Sequence, residues 1–193
     1  MMPETLTAKE RETLLLLARQ SIRLATQGNP LPPINLDDYP EHLREWGVTF
    51  VTLMERGELR GCVGALEAYQ PLVEDVCEHA VSAALNDYRF LPVRPEEVDY
   101  LHIEISRLTP PVRLDYQDEE DLLHKLHPGV DGVLIRSGPY ARATFLPQVW
   151  QKLPDPTDFM NHLCLKMGCP ASLWRRQHLE VSVYQVEEFE EEN

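Results

Sequence analysis

Positive charge is scarce in this sequence. Its 193 residues include 18 lysines and arginines against 32 aspartates and glutamates, which gives a net charge of −14 and a pI of about 4.9. Such a surface repels phosphate backbones, and no run of basic residues offsets the repulsion. Nucleic-acid binding is therefore disfavoured. Much of the acidic excess lies at the C-terminus, where we expect residues 187–193 to form an acidic, solvated tail.

Long apolar runs are also missing. The leucine-rich stretch at residues 14–18 is too short to span a bilayer and is closely flanked by charge. The N-terminal residues lack the basic region that begins a signal peptide. We therefore expect no membrane segment and a cytoplasmic protein. With a hydrophobic content of 43%, the chain has enough apolar residues for one globular unit with a proper core.

Paired cysteines are the third absence. The four cysteines, at positions 62, 77, 164 and 169, form no C-x-x-C pair, so zinc-ribbon and thioredoxin-type sites are disfavoured. His124 and His127, taken with Cys164 and Cys169, match no common zinc spacing. We therefore predict no metal site and expect reduced thiols. The sequence does not indicate a cofactor.

Helical and strand patterns are mixed along the chain. Thr7 and Glu10 form a capping box, which predicts a helix that ends near Gly28. Further helices are predicted over 71–86, 118–126 and 157–166, the last capped by Thr157, and strands over 48–53, 59–66, 101–108, 130–135, 141–146 and 179–186. The strands form two hairpins with no βαβ rhythm. We therefore predict an α+β fold, with a mainly antiparallel sheet flanked by helices.

One strand segment breaks the usual composition rules. Leu-Arg-Gly-Cys-Val-Gly, at residues 59–64, places Cys62 between Gly61 and Gly64 and close to Arg60. Glycine in a strand costs backbone entropy and offers no side chain for packing. A sequence that accepts this cost usually needs a bulge, a tight bend or a close backbone approach. The segment therefore marks the first candidate site.

Cys62 has two interpretations. As a nucleophile it needs thiolate character, a base and an oxyanion site. Arg60 would favour the anion, the flanking glycines would leave backbone N–H groups as oxyanion donors, and His79 or His102 would reach the thiol through the fold. As a structural residue it would be a small cysteine that fills a tight strand crossing. Among the four thiols we expect Cys62 to be the most reactive.

Three further polar residues lie at turns. Asp87 and Arg89 follow the end of the predicted second helix. They form either a structural ion pair that orders the turn or a clamp for an anionic ligand. Asp131, between two nearby glycines, serves either a tight turn or general-base catalysis.

Arg142 and Thr144 lie two residues apart in a predicted strand and therefore share a face. With Arg60 they would form a cationic floor, although ordinary sheet-surface positions also explain them. These polar and glycine-bearing segments are the parts of the chain that core packing explains least. We therefore expect residues 59–64, 87–90 and 142–144 to converge on one concavity.

Several segments together resemble the AMMECR family. Residues 59–64 are similar to its hallmark L-R-G-C-I-G, and residues 87–92 to its D-x-R-F-x-P. Further similar segments lie at residues 104–108, 129–133, 143–150 and 166–168. The departures are small, with Val63 in place of the usual isoleucine and Ala65 where threonine is common. The resemblance extends from about Leu14 to Val186.

The resemblance implies an α+β fold with a large and a small subdomain. Residues 1–193 would then form a single AMMECR-type domain, with room for a smaller subdomain. No reaction is firmly assigned to the family. Similar bacterial and archaeal proteins are described as one component of a system with a Memo-like protein and a radical SAM protein, and Memo-like proteins resemble metal-dependent dioxygenases.

Two functional hypotheses follow, and the sequence leaves open whether the chain is an enzyme. The first is a thiol-dependent enzyme centred on Cys62, acting on a small molecule or a protein in a modification pathway. The second is a non-enzymatic adaptor or ligand-binding module for a Memo-like or radical SAM partner. RNA binding is the least favoured alternative because the chain is acidic.

Overall fold

The computed structural model describes residues 5–192 and divides them into two compact units. The second unit is Thr109–Val186, and the first consists of the described residues on either side of it. Each unit has its own hydrophobic cluster. Among the described residues, no helix is long and apolar enough to cross a membrane.

The first unit begins with helix α1, Ala8–Thr26, and its start confirms the predicted capping box. The Thr7 hydroxyl accepts a hydrogen bond from the Glu10 N–H, and the Glu10 carboxylate accepts one from the Thr7 N–H at 2.8 Å. Two of the unpaired donors at the helix start are satisfied in this way. Leu14, Ala18 and Ile22 then form one fully buried face.

The sheet of the first unit has four strands in the order β2-β1-β3-β8. Strand β1 pairs antiparallel with both β2 and β3. The elements of this unit are α1, the short helix α2 (Glu41–Arg44), β1 (Val48–Glu55), β2 (Glu58–Gly64), α3 (Leu72–Leu85), β3 (Leu101–Leu108) and β8 (Val186–Glu190), with 3₁₀ turns at Leu36–Asp38 and Pro95–Tyr100.

One face of this sheet packs against α1 and α3. Val51, Leu53, Ile103 and Ile105 are fully buried in the same cluster as the apolar residues of these helices. Because strand side chains alternate, the residues between them point to the opposite side. We call this side the distal face, and it carries Phe50, Thr52, Cys62, His102 and Glu104, all half-buried.

The second unit also combines an antiparallel sheet with helices. Its strands lie in the order β4-β7-β5-β6. The Trp150 ring stacks on Phe159, with ring centroids 3.7 Å apart, in its buried cluster. The elements are β4 (Val112–Arg113), α4 (Glu119–Lys125), β5 (Gly132–Ser137), β6 (Ala141–Phe145), α5 (Pro156–Lys166), α6 (Leu173–Arg176) and β7 (Glu180–Tyr184), with a 3₁₀ turn at Pro147–Gln151.

The α+β fold class is therefore confirmed. The solvated acidic tail expected at residues 187–193 is wrong for residues 187–192, and residue 193 lies outside the described residues. The predicted last strand, 179–186, is followed directly by a second one, β8, which lies beside β3. Glu187 forms ion pairs with Arg11 and Arg107, and Glu191 with Arg19. Phe189 packs against the core. The glutamates thus have arginine partners across the unit, which a composition-based prediction could not reveal.

A smaller correction concerns the start of α5. The cap is Asp155 and not Thr157, because the Asp155 carboxylate accepts hydrogen bonds from the N–H groups of Thr157 and Asp158 at 2.9 and 3.1 Å. Pro156 then occupies the first helical position, where its fixed φ suits the helix and its missing N–H costs nothing.

The glycines of residues 59–64 are explained by close packing, which confirms that part of the prediction. The pairing register between β1 and β2 shifts within this hairpin. Leu59 and Gly61 lie opposite consecutive residues of β1, so Arg60 is the extra residue of a bulge. A Cβ on Gly61 would overlap the Ala83 carbonyl oxygen of α3. A Cβ on Gly64 would overlap the Phe50 ring. Neither glycine has a positive φ.

We predict that Gly61→Ala destabilises the protein more than Gly57→Ala does. The first change forces a methyl group into a helix backbone and should cost about 3 kcal/mol or more, at the upper end of overpacking. Gly57, in the turn of the same hairpin, has φ +81° with nothing within 4 Å of its Cβ position. Its replacement should cost only about 1 kcal/mol of backbone strain. Urea unfolding measures both, and equal losses would contradict the close-approach explanation.

Candidate functional site

The Cys62 side chain lies on the distal face of β2, the edge strand of the first unit's sheet. It is half-buried, and Thr52 lies directly opposite on β1. The Thr52 hydroxyl donates a hydrogen bond to the Cys62 Sγ at 3.3 Å. This hydrogen bond fixes the position of the sulfur beside β1.

The Cys62 peptide is held by Asp87 and Arg89, which we call the edge clamp. The Cys62 N–H donates to the Asp87 Oδ2 at 2.9 Å, and the Arg89 Nη2 donates to the Cys62 carbonyl oxygen at 3.2 Å. Both backbone groups of this edge residue therefore have side-chain partners in place of a neighbouring strand. The Cys62 N–H is consequently not available as an oxyanion donor.

The edge clamp is an ion pair with one buried partner. Arg89 Nη2 and Asp87 Oδ2 are 2.7 Å apart, and the Asp87 side chain is almost fully buried. Hydrogen bonds from the Arg89 side chain hold the pKa of Asp87 well below its ordinary value, against the opposing effect of burial. The same contact raises the pKa of Arg89. Of the two interpretations offered for these residues, this geometry matches the structural ion pair.

Arg60 has other partners. Its guanidinium lies 3.2 Å from the Glu97 carboxylate and donates to the Leu91 carbonyl oxygen at 2.8 Å. Arg60 occupies the bulge, so simple alternation does not apply to its direction. The guanidinium that binds the Cys62 peptide is therefore that of Arg89.

Neither histidine proposed as a base hydrogen-bonds the Cys62 thiol. His79 Nδ1 lies 3.1 Å from the Asp75 carboxylate, and His102 Nε2 lies 3.0 Å from that of Glu190. Within residues 5–192, the hydrogen-bond partner of the sulfur is the Thr52 hydroxyl. The site thus has a positioned thiol without a hydrogen-bonded base.

A buried polar network in the same unit escaped the sequence analysis. Asp75 on α3 is fully buried, and its Oδ2 accepts hydrogen bonds from the N–H and the hydroxyl of Thr49, both at 2.7 Å, beside His79 Nδ1. Burial, followed by a hydrogen bond to Glu78, raises the pKa of the nearby Tyr69 to about 12. The signal was present, because aspartate and histidine at i and i+4 share one face of α3 with its apolar residues.

The other predicted site residues belong to the second unit. Asp131 is buried, and its carboxylate accepts from the His127 N–H at 2.9 Å, while the Trp150 indole donates to its carbonyl oxygen. Thr144 is buried and donates to the Val133 carbonyl oxygen at 2.9 Å, whereas Arg142 is exposed. The contacts of Asp131 and Thr144 are those of a turn and of a strand packed inside the unit.

Of the three segments predicted to converge, two lie in the first unit and one lies in the second. The structure brings residues 59–64 and 87–90 together through the edge clamp in the first unit. Arg142 and Thr144 lie in the second unit. That unit has a cavity of about 600 Å³, lined by residues 116–120 and 174–178, which includes none of the predicted site residues.

Comparison with known proteins decides the family. The family model AMMECR1 matches residues 15–189. The chain belongs to the AMMECR1 family. The match covers both units, so the sequence resemblance is confirmed over nearly the whole chain.

The relatives of this AMMECR1 protein agree with that assignment. A protein of Methanothermobacter thermautotrophicus is 37% identical over 97% of each chain. A protein of Methanopyrus kandleri is 38% identical over 99% of this chain and 93% of its own. The crystal structure of an uncharacterised protein from Pyrococcus horikoshii, 36% identical, has a TM-score of 0.79 and covers 94% of this chain and 91% of its own.

In this AMMECR1 protein the edge clamp should contribute to stability at neutral pH. We predict that Asp87→Asn costs about 2 kcal/mol, because it removes a buried charge-assisted acceptor. Asp99→Asn is the matched control. Asp99 pairs with Arg23, but its side chain is 78% exposed, so the loss should stay within about 0.5 kcal/mol.

The pH dependence gives a second readout of the clamp. The Asp87 pKa is lower in the folded state, so its stabilisation is present above its ordinary value of 3.8 and is lost as pH falls below it. The difference in unfolding free energy between the parent and Asp87→Asn should therefore shrink between pH 5 and pH 3. A difference that does not change with pH would show that the carboxylate charge is not the cause.

Proposed function

We propose that this AMMECR1 protein is a non-enzymatic binding module, which docks a partner protein through the turn that follows α3. The observation that carries the proposal is the exposure of two large apolar side chains on a fixed backbone. Tyr88 is 96% exposed and Leu91 is 83% exposed. We call residues 87–91 the docking turn.

The backbone of the docking turn is held from several sides. Asp87 and Arg89 bind the Cys62 peptide, and the Leu91 carbonyl oxygen accepts from Arg60. The Val93 N–H donates to the Ala84 carbonyl oxygen at 2.8 Å just beyond it. A segment ordered before binding loses little conformational entropy on docking, and this preorganisation favours affinity.

The composition of the docking turn fits a protein interface. Tyrosine, phenylalanine and arginine are enriched in interface cores, and tyrosine and arginine are also enriched among the residues that dominate binding energy. The Arg89 guanidinium also lies over the Phe90 ring, 5.5 Å from its centroid. A partner would need an apolar pocket for Tyr88 and Leu91, with acidic groups near Arg89.

The family resemblance supplies the partner class. We propose a Memo-like protein or a radical SAM protein as the partner, with the module acting in their modification pathway. The four cysteines are free thiols, which fits a reducing compartment, and we propose the cytoplasm. The net charge of −14 argues against RNA as the partner.

The docking turn is tested by a double substitution. Tyr88→Ser with Leu91→Ser should weaken binding to the purified Memo-like or radical SAM protein of the same organism by about 30-fold or more, equivalent to at least 2 kcal/mol from two anchor residues. Isothermal titration calorimetry measures the affinity, and both changes lie at exposed positions, so the fold should persist.

The matched control lies in the second unit. Tyr140 is 95% exposed and Leu165 is 55% exposed, so Tyr140→Ser with Leu165→Ser removes the same groups from another surface. This control should bind like the parent. If neither partner binds the parent, or if the two double variants lose affinity equally, the docking turn is not the interface.

A thiol-dependent enzyme centred on Cys62 is the second candidate function. The hydrogen bond from Thr52 to the sulfur favours it, and the Arg89 guanidinium binds the carbonyl oxygen of the same residue. The substrate would be a small molecule or a protein. In this mechanism the Cys62 thiol has to lose its proton without a hydrogen-bonded base.

Thiol labelling against pH tests this candidate. We predict that Cys62 is modified first, because burial raises the pKa of Cys77 and of Cys164 and slows their reaction. Mass spectrometry identifies the modified residue. Cys62→Ser should keep the melting temperature and lose the fast label. Prior labelling of Cys164 or Cys169 would exclude Cys62 as the reactive thiol.

A further inference from the structure

We propose that the distal face of the first unit's sheet holds one divalent metal ion, bound by His102, Glu104 and Glu190. Each of the three side chains offers a ligand atom, and these atoms all lie within 4.8 Å of one another. His102 Nε2 and a Glu190 carboxylate oxygen are 3.0 Å apart. The proposal rests on this geometry and is independent of the docking turn.

The ligand types indicate the class of ion. Zinc and related ions bind histidine nitrogen and carboxylate oxygen at about 2.0–2.2 Å. Ligand atoms around one ion then lie roughly 3–4 Å apart, so small rotations of these side chains complete the site. One imidazole with two carboxylates suits Zn²⁺, Co²⁺, Mn²⁺ or Fe²⁺ better than Mg²⁺ or Ca²⁺, which prefer oxygen ligands alone.

The backbone positions of the ligands are well fixed. His102 and Glu104 lie two residues apart on β3, an interior strand of the sheet, so both side chains point to the distal face. Their β1 neighbours are Met54 and Thr52. Glu190 comes from β8, the adjacent strand, 88 residues from His102 along the chain. This separation explains why sequence spacing alone gave no metal signature.

Electrostatics favours a cation at this point. Glu104 is half-buried, and its carboxylate has no hydrogen-bond or ion-pair partner among residues 5–192. The carboxylate of Glu190 converges on the same point, and like charges at this separation repel. Two arginines of this unit bind other glutamates of the C-terminal segment, since Arg19 binds Glu191 and Arg107 binds Glu187. A bound cation would compensate the two carboxylates.

The site lies on the same face as the Cys62 thiol without including it. Thr52 is opposite Cys62 on one side and opposite Glu104 on the other. Two strand spacings separate the Cα atoms of Cys62 and Glu104 by roughly 10 Å. The Cys62 sulfur is not among the three ligand atoms that lie within 4.8 Å of one another, so the proposed site does not include it.

Metal titration of the full-length protein tests the proposal. In isothermal titration calorimetry, Zn²⁺ should bind saturably with one ion per chain. Glu104→Gln and His102→Ala should each weaken Zn²⁺ binding by at least about 10- to 100-fold, because even the loss of a group that only hydrogen-bonds a metal ligand has an effect of this size. Glu104→Gln keeps the side-chain shape, and circular dichroism melting without metal checks that each variant folds. Binding should also weaken at low pH, because the ligands must be deprotonated.

The control uses metal-binding residue types at another surface. Glu120 and His124 are exposed at i and i+4 on α4, so Glu120→Gln with His124→Ala removes one carboxylate and one imidazole from the second unit. This variant should bind Zn²⁺ like the parent. Co²⁺ absorption then identifies the ligands, and we expect no thiolate charge-transfer band. Absence of saturable binding, a thiolate band, or loss of binding in the control alone would overturn the proposal.

Discussion

The contact between Gly61 and the Ala83 carbonyl oxygen is the constraint on which the rest of the first unit's site depends. Because Gly61 has no Cβ, the last turn of α3 lies directly on strand β2. The chain leaves α3 at Leu85, so Asp87 emerges beside the strand edge, within hydrogen-bond distance of the Cys62 N–H. A larger residue at position 61 would move the helix end away and separate the two halves of the edge clamp.

The edge clamp provides partners for backbone groups at the open edge of the sheet. An edge strand exposes unpaired N–H and C=O groups, which can pair with another chain. At Cys62 a carboxylate and a guanidinium occupy both groups, and they bring charge to the edge. The same bonds fix the backbone on which Tyr88 and Leu91 are exposed. The family hallmark therefore has a structural explanation, and the same contacts hold a surface turn that exposes two apolar side chains.

Sequence reasoning succeeded where the cause was local. The capping box at Thr7, the two hairpins and the close approach at Gly61 follow from a few neighbouring residues. It failed where partners come from distant parts of the chain. The strand β8 has acidic composition, and only the fold brings Glu191 to Arg19, 172 residues away. The direction of the Arg60 side chain could not be predicted from the sequence either, because a one-residue bulge changes the side of the sheet that this side chain faces.

Cys62 is the residue at which the edge and the distal face meet. Its peptide carries the edge clamp, while its side chain points to the distal face beside Thr52. Thr52 in turn neighbours Glu104, a proposed metal ligand. The three properties therefore depend on different atoms. The proposed docking depends on the turn held by the Cys62 peptide, and the proposed thiol chemistry depends on Sγ. The proposed metal binding depends on side chains of β3 and β8, two and three strands away from β2. Substitutions that change one group can leave the other two in place, so the proposals can be tested separately.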